Sequence, residues 1–221
     1  SIYVNVPPTI ISKAVTLIKK TESYIYPLSA KDENILSPIN PDVNNKVQFI
    51  LGQGPKGMEI DGKNVLRWET MDKFPGEYEI SIIASDGVDE AIQNFQLLVN
   101  SFPVITSQDS IVVKIGDTLN FQIEAYDLNS DDTLSYFMDS MRPGMELDNI
   151  NGILTWIPLD IDLGNHIFNL QVRDGHGTIG TNKELEIFVY KLPQFTGDLS
   201  TEAFTGLEYS AFMTAVDMYG E

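Results

Sequence analysis

Apolar and polar residues alternate in several short stretches of the chain, which is the pattern of strands with one buried face. In the clearest stretch, one face carries Leu119, Phe121, Ile123 and Ala125, and the other carries Asn120, Gln122 and Glu124. Turn-forming pairs such as Asn151-Gly152 and Asp174-Gly175 separate these stretches. About seven short strands in roughly 90 residues, without a helical period, predict an all-β fold of Greek-key β-sandwiches.

The pattern recurs along the chain, which indicates internal repeats. Trp68 recurs as Trp156, and Asp86 recurs as Asp174, both at a spacing of 88 residues. Three repeat starts are each marked by a proline and a later aspartate, in the pairs Pro8 and Asp32, Pro103 and Asp127, and Pro193 and Asp217. We therefore predict one repeat at residues 1–100, a second at 101–190 and the truncated start of a third at 191–221.

The charge balance restricts the partners. The chain has 32 Asp+Glu against 14 Lys+Arg, a net charge of −18, which repels nucleic acid and anionic membranes and attracts cations. No apolar run approaches the ~18 residues that a membrane helix needs, so we expect no membrane span. The chain has no initiator methionine and no signal peptide. We therefore expect an excerpt from a longer chain, whose other domains are partners of this one.

Residue types that carry catalysis are scarce. The chain has no cysteine, which excludes disulfides, thiolate metal sites and cysteine nucleophiles. It has 2 histidines, His166 and His176, and neither lies in a framework typical of a hydrolytic triad. We expect His166 to be a half-buried packing residue and His176 to lie on the surface. The sequence therefore predicts a protein that is not an enzyme.

The segments PGMELDNINGILTW and GNHIFNLQVRDGHG resemble the Ig-like and dystroglycan-type cadherin-like repeats of large surface proteins. In that family a turn with proline and glycine leads to a Gly-x-Leu-x-Trp strand, and a later strand ends in Asp-Gly. The resemblance covers both complete repeats and the third as far as it goes. It implies tandem Ig-like sandwiches in an extracellular or cell-surface protein. The lack of any Asn-x-Ser/Thr acceptor favours a bacterial or archaeal source.

Two inward-facing rows in each repeat lead to an aspartate. The row of the clearest stretch continues by two positions to Asp127, and the row in residues 168–172 continues to Asp174. The first repeat places Asp32 and Asp86 in the same way. In an Ig-like sandwich these strands are B and F, which face each other from opposite sheets. We therefore expect two carboxylates at one end of each sandwich, ~10 Å apart.

These carboxylates suggest calcium, which takes six to eight oxygen ligands from carboxylates, amides, carbonyls and water. The predicted ligands in the second repeat are Asn100, Asp127, Asn129, Asp131 and Asp174. The corresponding set in the first repeat is Asn5, Asp32, Asn34 and Asp86. The segment from Asn100 to Pro103 also resembles the linker by which cadherins hold calcium between domains. The alternative is that these aspartates only form solvated Asx-turns.

The predicted function is that of a structural and adhesive module, a rod of tandem sandwiches at a cell surface or in an extracellular filament, stiffened by calcium. The alternatives are a module that binds surface glycans or further copies of the chain, and a spacer in a large secreted enzyme. A glycan platform could be built from Trp68 and Trp156. Both share the parity of inward-facing leucines, however, so we predict that they lie in the core.

Overall fold

The computed structural model describes residues 5–33, 46–196, 205–206 and 214–216. Within these residues the regular structure is almost all β, and the one helical element is a 3-10 turn at Asp160–Asp162. The predicted all-β class is therefore confirmed. No helix in the described ranges is long and apolar enough to cross a membrane.

The chain divides into two compact units. The first consists of Ser1–Ser101 and Leu128–Ser130, and the second consists of Phe102–Asp127 and Asp131–Glu221. The three repeat ranges drawn from the sequence remain predictions. Asp217, the aspartate that marks the predicted third repeat, lies outside the described residues.

The first unit has two main sheets. Its strands are β1 (Thr9–Ile10), β2 (Leu17–Lys19), β3 (Tyr24–Pro27), β4 (Ala30–Lys31), β5 (Gln48–Gln53), β6 (Glu59–Ile60), β7 (Val65–Trp68), β8 (Gly76–Ser85) and β9 (Glu90–Asn100). One sheet has the order β2-β9-β8-β5 and the other the order β3-β7-β6, while β1 pairs with β4. Strand β2 runs parallel to β9, and the neighbouring pair β8 and β9 is antiparallel.

The second unit repeats this arrangement. Its strands are β10 (Val104–Ile105), β11 (Ser110–Lys114), β12 (Leu119–Gln122), β13 (Ala125–Tyr126), β14 (Ser135–Met138), β15 (Glu146–Asp148), β16 (Ile153–Trp156), β17 (Gly164–Arg173), β18 (Lys183–Tyr190), β19 (Gln194–Thr196) and β20 (Thr214–Val216). The main sheets have the orders β11-β18-β17-β14 and β12-β16-β15, and β10 pairs with β13 and β19 with β20. Strand β11 is parallel to β18, as β2 is to β9 in the first unit.

Each unit has an apolar core in which a tryptophan is the largest buried side chain. Trp68 is 2% exposed and Trp156 is 1% exposed, which confirms that they are core residues and not a sugar-binding platform. His166 is half-buried and its ring lies edge-on to that of Trp156, with 5.8 Å between the ring centroids. The predicted packing role of this histidine is therefore confirmed.

The alternation of the clearest sequence stretch is also found in the structure, but the strand changes its partner. Strand β12 pairs with β16, whereas β13, separated from β12 by two residues, pairs with β10 in a separate two-stranded sheet. Between them the Ile123 amide donates to the Gly152 carbonyl over 2.8 Å. Burial alternates from Leu119 to Asp127, so the inward row does continue to Asp127. The backbone hydrogen bonds, however, change from one sheet to another within this row.

Candidate metal site

Asp174 follows the last residue of β17 and begins the turn to β18. Its side chain faces inward and the residue is 5% exposed. Its Oδ1 accepts hydrogen bonds from the amides of His176 at 2.9 Å and Thr178 at 2.7 Å. Gly177 has a φ of +79°, a conformation open to glycine and costly for other residues, and this lets the turn close around the carboxylate. The sequence Asp-Gly-His-Gly therefore fixes one carboxylate by its own backbone.

Two further carboxylates approach Asp174 from the loop between β13 and β14. One oxygen each from Asp127, Asp132 and Asp174 lies within 4.8 Å of the other two. Gly175 helps to make this approach possible. A Cβ at Gly175 would lie 3.1 Å from Thr133 Oγ1 and 3.9 Å from Asp132 Oδ1, so a side chain there would press on the loop that carries Asp132.

Asp132 is a poorly compensated member of this group. Its side chain is only 9% exposed, and its Oδ1 lies 3.1 Å from His176 Nε2. Its Oδ2 is buried and has no hydrogen-bond partner among the described residues. Burial raises the pKa of Asp132, His176 opposes this shift, and the negative charges of Asp174, Asp127 and Asp131 add to it. A cation bound here would stabilise this carboxylate oxygen and the two neighbouring carboxylates by electrostatic attraction.

The other residues predicted for this site lie elsewhere or are used differently. Asp131 is exposed and does not belong to the group of three. Asn129 belongs to the first unit, where its Oδ1 accepts from the Ser101 amide at 2.7 Å and its Nδ2 donates to the Val99 carbonyl at 3.2 Å. Asn100 also belongs to the first unit and is 1% exposed. A role of Asn129 or Asn100 in calcium binding stays a prediction.

In the corresponding turn of the first unit, hydrogen bonds from amide groups stabilise the carboxylate of Asp86. Asp86 is 8% exposed, and its Oδ1 accepts from the amides of Val88 and Asp89, both at 2.8 Å. The Asn5 side-chain amide donates to Asp86 Oδ2 at 2.9 Å and to Asp89 Oδ2 at 2.7 Å. Burial raises the pKa of Asp86, but the hydrogen bonds from the Asp89 amide, Asn5 and the Val88 amide outweigh it and hold the pKa below its usual value.

Asn5 therefore presents its nitrogen, and not its oxygen, to the carboxylates of the first repeat. Asp32 is buried at 5% exposure, as the inward row predicts. Asn34 lies outside the described residues. In the part of the first repeat that the structure describes, no group of three acidic or histidine side chains converges as it does in the second.

The sequence singled out Asp127 and Asp174, and the structure brings an oxygen of each within 4.8 Å of the other, closer than the ~10 Å expected from the sheet spacing. The sequence analysis missed Asp132 as a third member. Asp132 has the wrong parity for the inward row, because it lies in a loop after β13 where alternation has ended. Gly175 leaves space for this loop, but it could not have served as a signal, because Asp86-Gly87 has the same pair and no such group among the described residues. His176 is 38% exposed, so its surface position is confirmed, but it is also the partner of Asp132.

Three carboxylates form an oxygen donor set, which suits hard cations such as calcium. Carboxylates this close repel one another unless a proton or a cation lies among them. Among the described residues, no hydrogen bond stabilises the buried Asp132 Oδ2, so its negative charge is only partly compensated by the protein. The residues present therefore fit a calcium ion.

Comparisons with known proteins identify the fold. A comparison with models of protein families gave no match, and neither did a sequence comparison with curated proteins. Among solved structures, an I-band fragment of titin is 15% identical with a TM-score of 0.53, over 86% of this chain and 68% of that chain. Sidekick-1 immunoglobulin domains 1–4 are 13% identical with a TM-score of 0.54, over 82% of this chain and 48% of that chain.

An endo-fucoidan hydrolase from glycoside hydrolase family 107 is 17% identical over 84% of this chain, but its TM-score of 0.35 is too low to indicate a shared fold over that length. The chain spans 29% of the length of that hydrolase and 48% of the Sidekick-1 structure. At such identities the likeness to titin and Sidekick-1 concerns the fold alone. The cadherin-like subtype remains a prediction. The chain is a tandem of Ig-like β-sandwiches.

Proposed function

We propose that the chain is a non-enzymatic structural and adhesive module of an extracellular or cell-surface protein, and that its second repeat binds calcium. The tandem Ig-like fold supports the first part, since such sandwiches present loops and sheet faces on a rigid frame. The observation that carries the second part is the group of Asp127, Asp132 and Asp174, with the buried and orphaned Asp132 Oδ2 among them.

Calcium would act on the second sandwich by joining two loops. Asp127 and Asp132 lie on the loop between β13 and β14, whereas Asp174 lies on the turn between β17 and β18. A cation held by all three would replace like-charge repulsion by attraction and would fix these loops to each other. Waters and backbone carbonyls would complete the six to eight ligands. Magnesium would bind less well, because it dehydrates reluctantly and demands a tighter octahedron.

The test is thermal unfolding of the chain in calcium, in magnesium and in chelator. Calcium at a hundredfold excess over its Kd stabilises the native state by about 2.7 kcal/mol, and Kd values of ~10⁻⁴–10⁻³ M are common for extracellular modules. We expect a rise in melting temperature with millimolar calcium, and a smaller rise with magnesium. Asp132→Asn should remove the calcium response.

The matched control is Asp131→Asn, one position away, because Asp131 is exposed and lies outside the group. It should keep the calcium response. In chelator, Asp132→Asn should melt no lower than the wild type, since it removes a carboxylate that repels its neighbours. Equal melting curves of the wild type in calcium and in chelator would refute the calcium site, and so would an equal loss of response in both variants.

A further inference from the structure

His176 contacts two of the three carboxylates of the candidate metal site. Its backbone amide donates to Asp174 Oδ1 at 2.9 Å, and its ring Nε2 lies 3.1 Å from Asp132 Oδ1. The ring nitrogen is therefore within hydrogen-bonding distance of a carboxylate that belongs to another loop. A single residue thus connects the turn after β17 to the loop between β13 and β14.

The first unit has the same turn without this ring. Val88 lies 88 positions before His176, and its amide also donates to the turn aspartate, to Asp86 Oδ1 at 2.8 Å. The side chain of Val88 is exposed and has no polar atom. The backbone hydrogen bond of the turn therefore does not depend on the side chain at this position. The imidazole is a separate feature of the second unit.

The ring contact involves only one of the two oxygens of Asp132. Oδ1 lies next to the His176 ring, whereas Oδ2 is buried and has no hydrogen-bond partner among the described residues. A carboxylate that is held through one oxygen has less freedom to rotate, so the position of its other oxygen is restricted as well. Imidazole nitrogen suits transition metals, whereas calcium takes oxygen ligands. The ring therefore suits a role beside the calcium ligands and not among them.

We propose that His176 is a positioning residue of the calcium site, whose ring holds the Asp132 carboxylate with Oδ2 available to the cation. This inference rests on the proposed calcium site in the second repeat. It adds a residue that acts on the affinity for calcium without binding the ion. In metal sites generally, a group that contacts a ligand from outside fixes its orientation, and loss of that group lowers the metal affinity about 10–100-fold.

The test is the Kd for calcium, measured by titration calorimetry at one fixed pH. His176→Val introduces the residue of the first unit and keeps the amide that donates to Asp174. It should raise the Kd about 10-fold or more, with a melting temperature in chelator close to that of the wild type.

The conservative variant is His176→Gln. The amide nitrogen of glutamine is as many bonds from Cβ as Nε2 of histidine is, and it carries a donor. This variant should therefore recover most of the affinity that the valine variant loses. Such a recovery distinguishes a positioning contact from a general loosening of the turn, which glutamine would not reverse.

The matched control is Val88→Ala, at the same turn position of the first unit, and it should leave the Kd unchanged. If His176→Val binds calcium as the wild type does, the inference is wrong although the calcium site stands. A lower Kd in that variant also overturns it, since the ring would then compete with the cation. So does an equal loss of affinity in the valine and glutamine variants. A wild type that binds no calcium overturns the proposed site itself, and this inference with it.

Discussion

The two units have equivalent sheets and an Asp-Gly turn after the corresponding strand, β8 or β17, but the turn aspartates meet different neighbours. In the first repeat, Asp86 is bound by two backbone amides and by the Asn5 side chain. In the second repeat, Asp174 is bound by two backbone amides and faces the carboxylates of Asp127 and Asp132. The protein thus supplies a donor to the first turn and further negative charge to the second.

This difference shows that the motif alone does not decide whether a turn aspartate binds a metal. Burial raises the pKa of Asp86, yet hydrogen bonds to its carboxylate lower it further, so the ionised form is stable without a cation. At Asp132, burial and the neighbouring carboxylates both raise the pKa, and the nearby His176 ring opposes this rise. The ionised form there gains from a cation. Whether the turn aspartate would gain from a cation therefore depends on the side chain that contacts it from another segment, which is Asn5 at Asp86 and Asp132 at Asp174.

The largest expected effect concerns what the repeats share. Trp68→Ala and Trp156→Ala should each reduce the free energy of unfolding by about 3–5 kcal/mol, because each removes a buried aromatic side chain from the centre of a core. Denaturant unfolding of both variants measures this. If either variant unfolds within a few tenths of a kcal/mol of the wild type, the two cores are not equivalent.

A smaller effect should follow from making the first repeat resemble the second. Asn5→Asp removes the amide that donates to Asp86 and Asp89, and adds a carboxylate beside them. Loss of hydrogen bonds to charged groups and the new repulsion should cost about 1–3 kcal/mol in chelator. The variant should also gain a calcium response in the first repeat, which thermal unfolding with and without calcium detects.

The control for this change is Asn5→Ala, which loses the same hydrogen bonds without adding charge. It should be destabilised in chelator but should gain no calcium response. If Asn5→Asp is as stable as the wild type in chelator, the amide of Asn5 does not stabilise the carboxylates of Asp86 and Asp89. The proposed difference between the two turns would then be wrong.

The smallest effect is in the pH dependence of the calcium-free protein. Because the pKa of Asp132 is raised in the folded state, the folded state binds more protons than the unfolded state at pH values between the unfolded and the folded pKa, and the free energy of unfolding rises as the pH falls through this range. Asp132→Asn should therefore be more stable than the wild type near pH 7, and the difference should shrink as the pH falls through the raised pKa. Melting temperatures of both proteins in chelator measure it. A difference that grows as the pH falls would contradict the raised pKa.

The sequence was sufficient for the strands and for the buried faces. Alternation of apolar residues places Asp127 and Asp174 on inward rows, because burial in a strand follows a period of two whatever the neighbouring strand is. The same argument placed Trp68 and Trp156 in the core. It did not reveal that β12 and β13 pair with different sheets, since alternation reports which face is buried and not which strand is the partner.

The rest of the candidate site depends on contacts between segments that are far apart in the chain. Asp132 joins Asp174 because Gly175 allows the loop to approach, and the sequence gives no parity rule for loop residues. Likewise, Asn5 contacts Asp86 across 81 positions, and only the structure shows that it offers a donor and not an oxygen. Composition suggested cations in general. The positions of the hydrogen-bond donors and carboxylates determine which of the two turns would be stabilised by a cation.

The most direct test of the central claim is a calcium titration of the isotope-labelled chain, followed through its backbone amide NMR signals. If the three carboxylates hold one calcium ion, the signals of the amides next to Asp127, Asp132 and Asp174 should shift together and saturate with one Kd. The signals of the Val88 and Asp89 amides in the first unit should not shift, because their hydrogen bonds already stabilise the Asp86 carboxylate without a cation. Equal shifts in both turns, or small unsaturable shifts spread over all acidic residues, would contradict it.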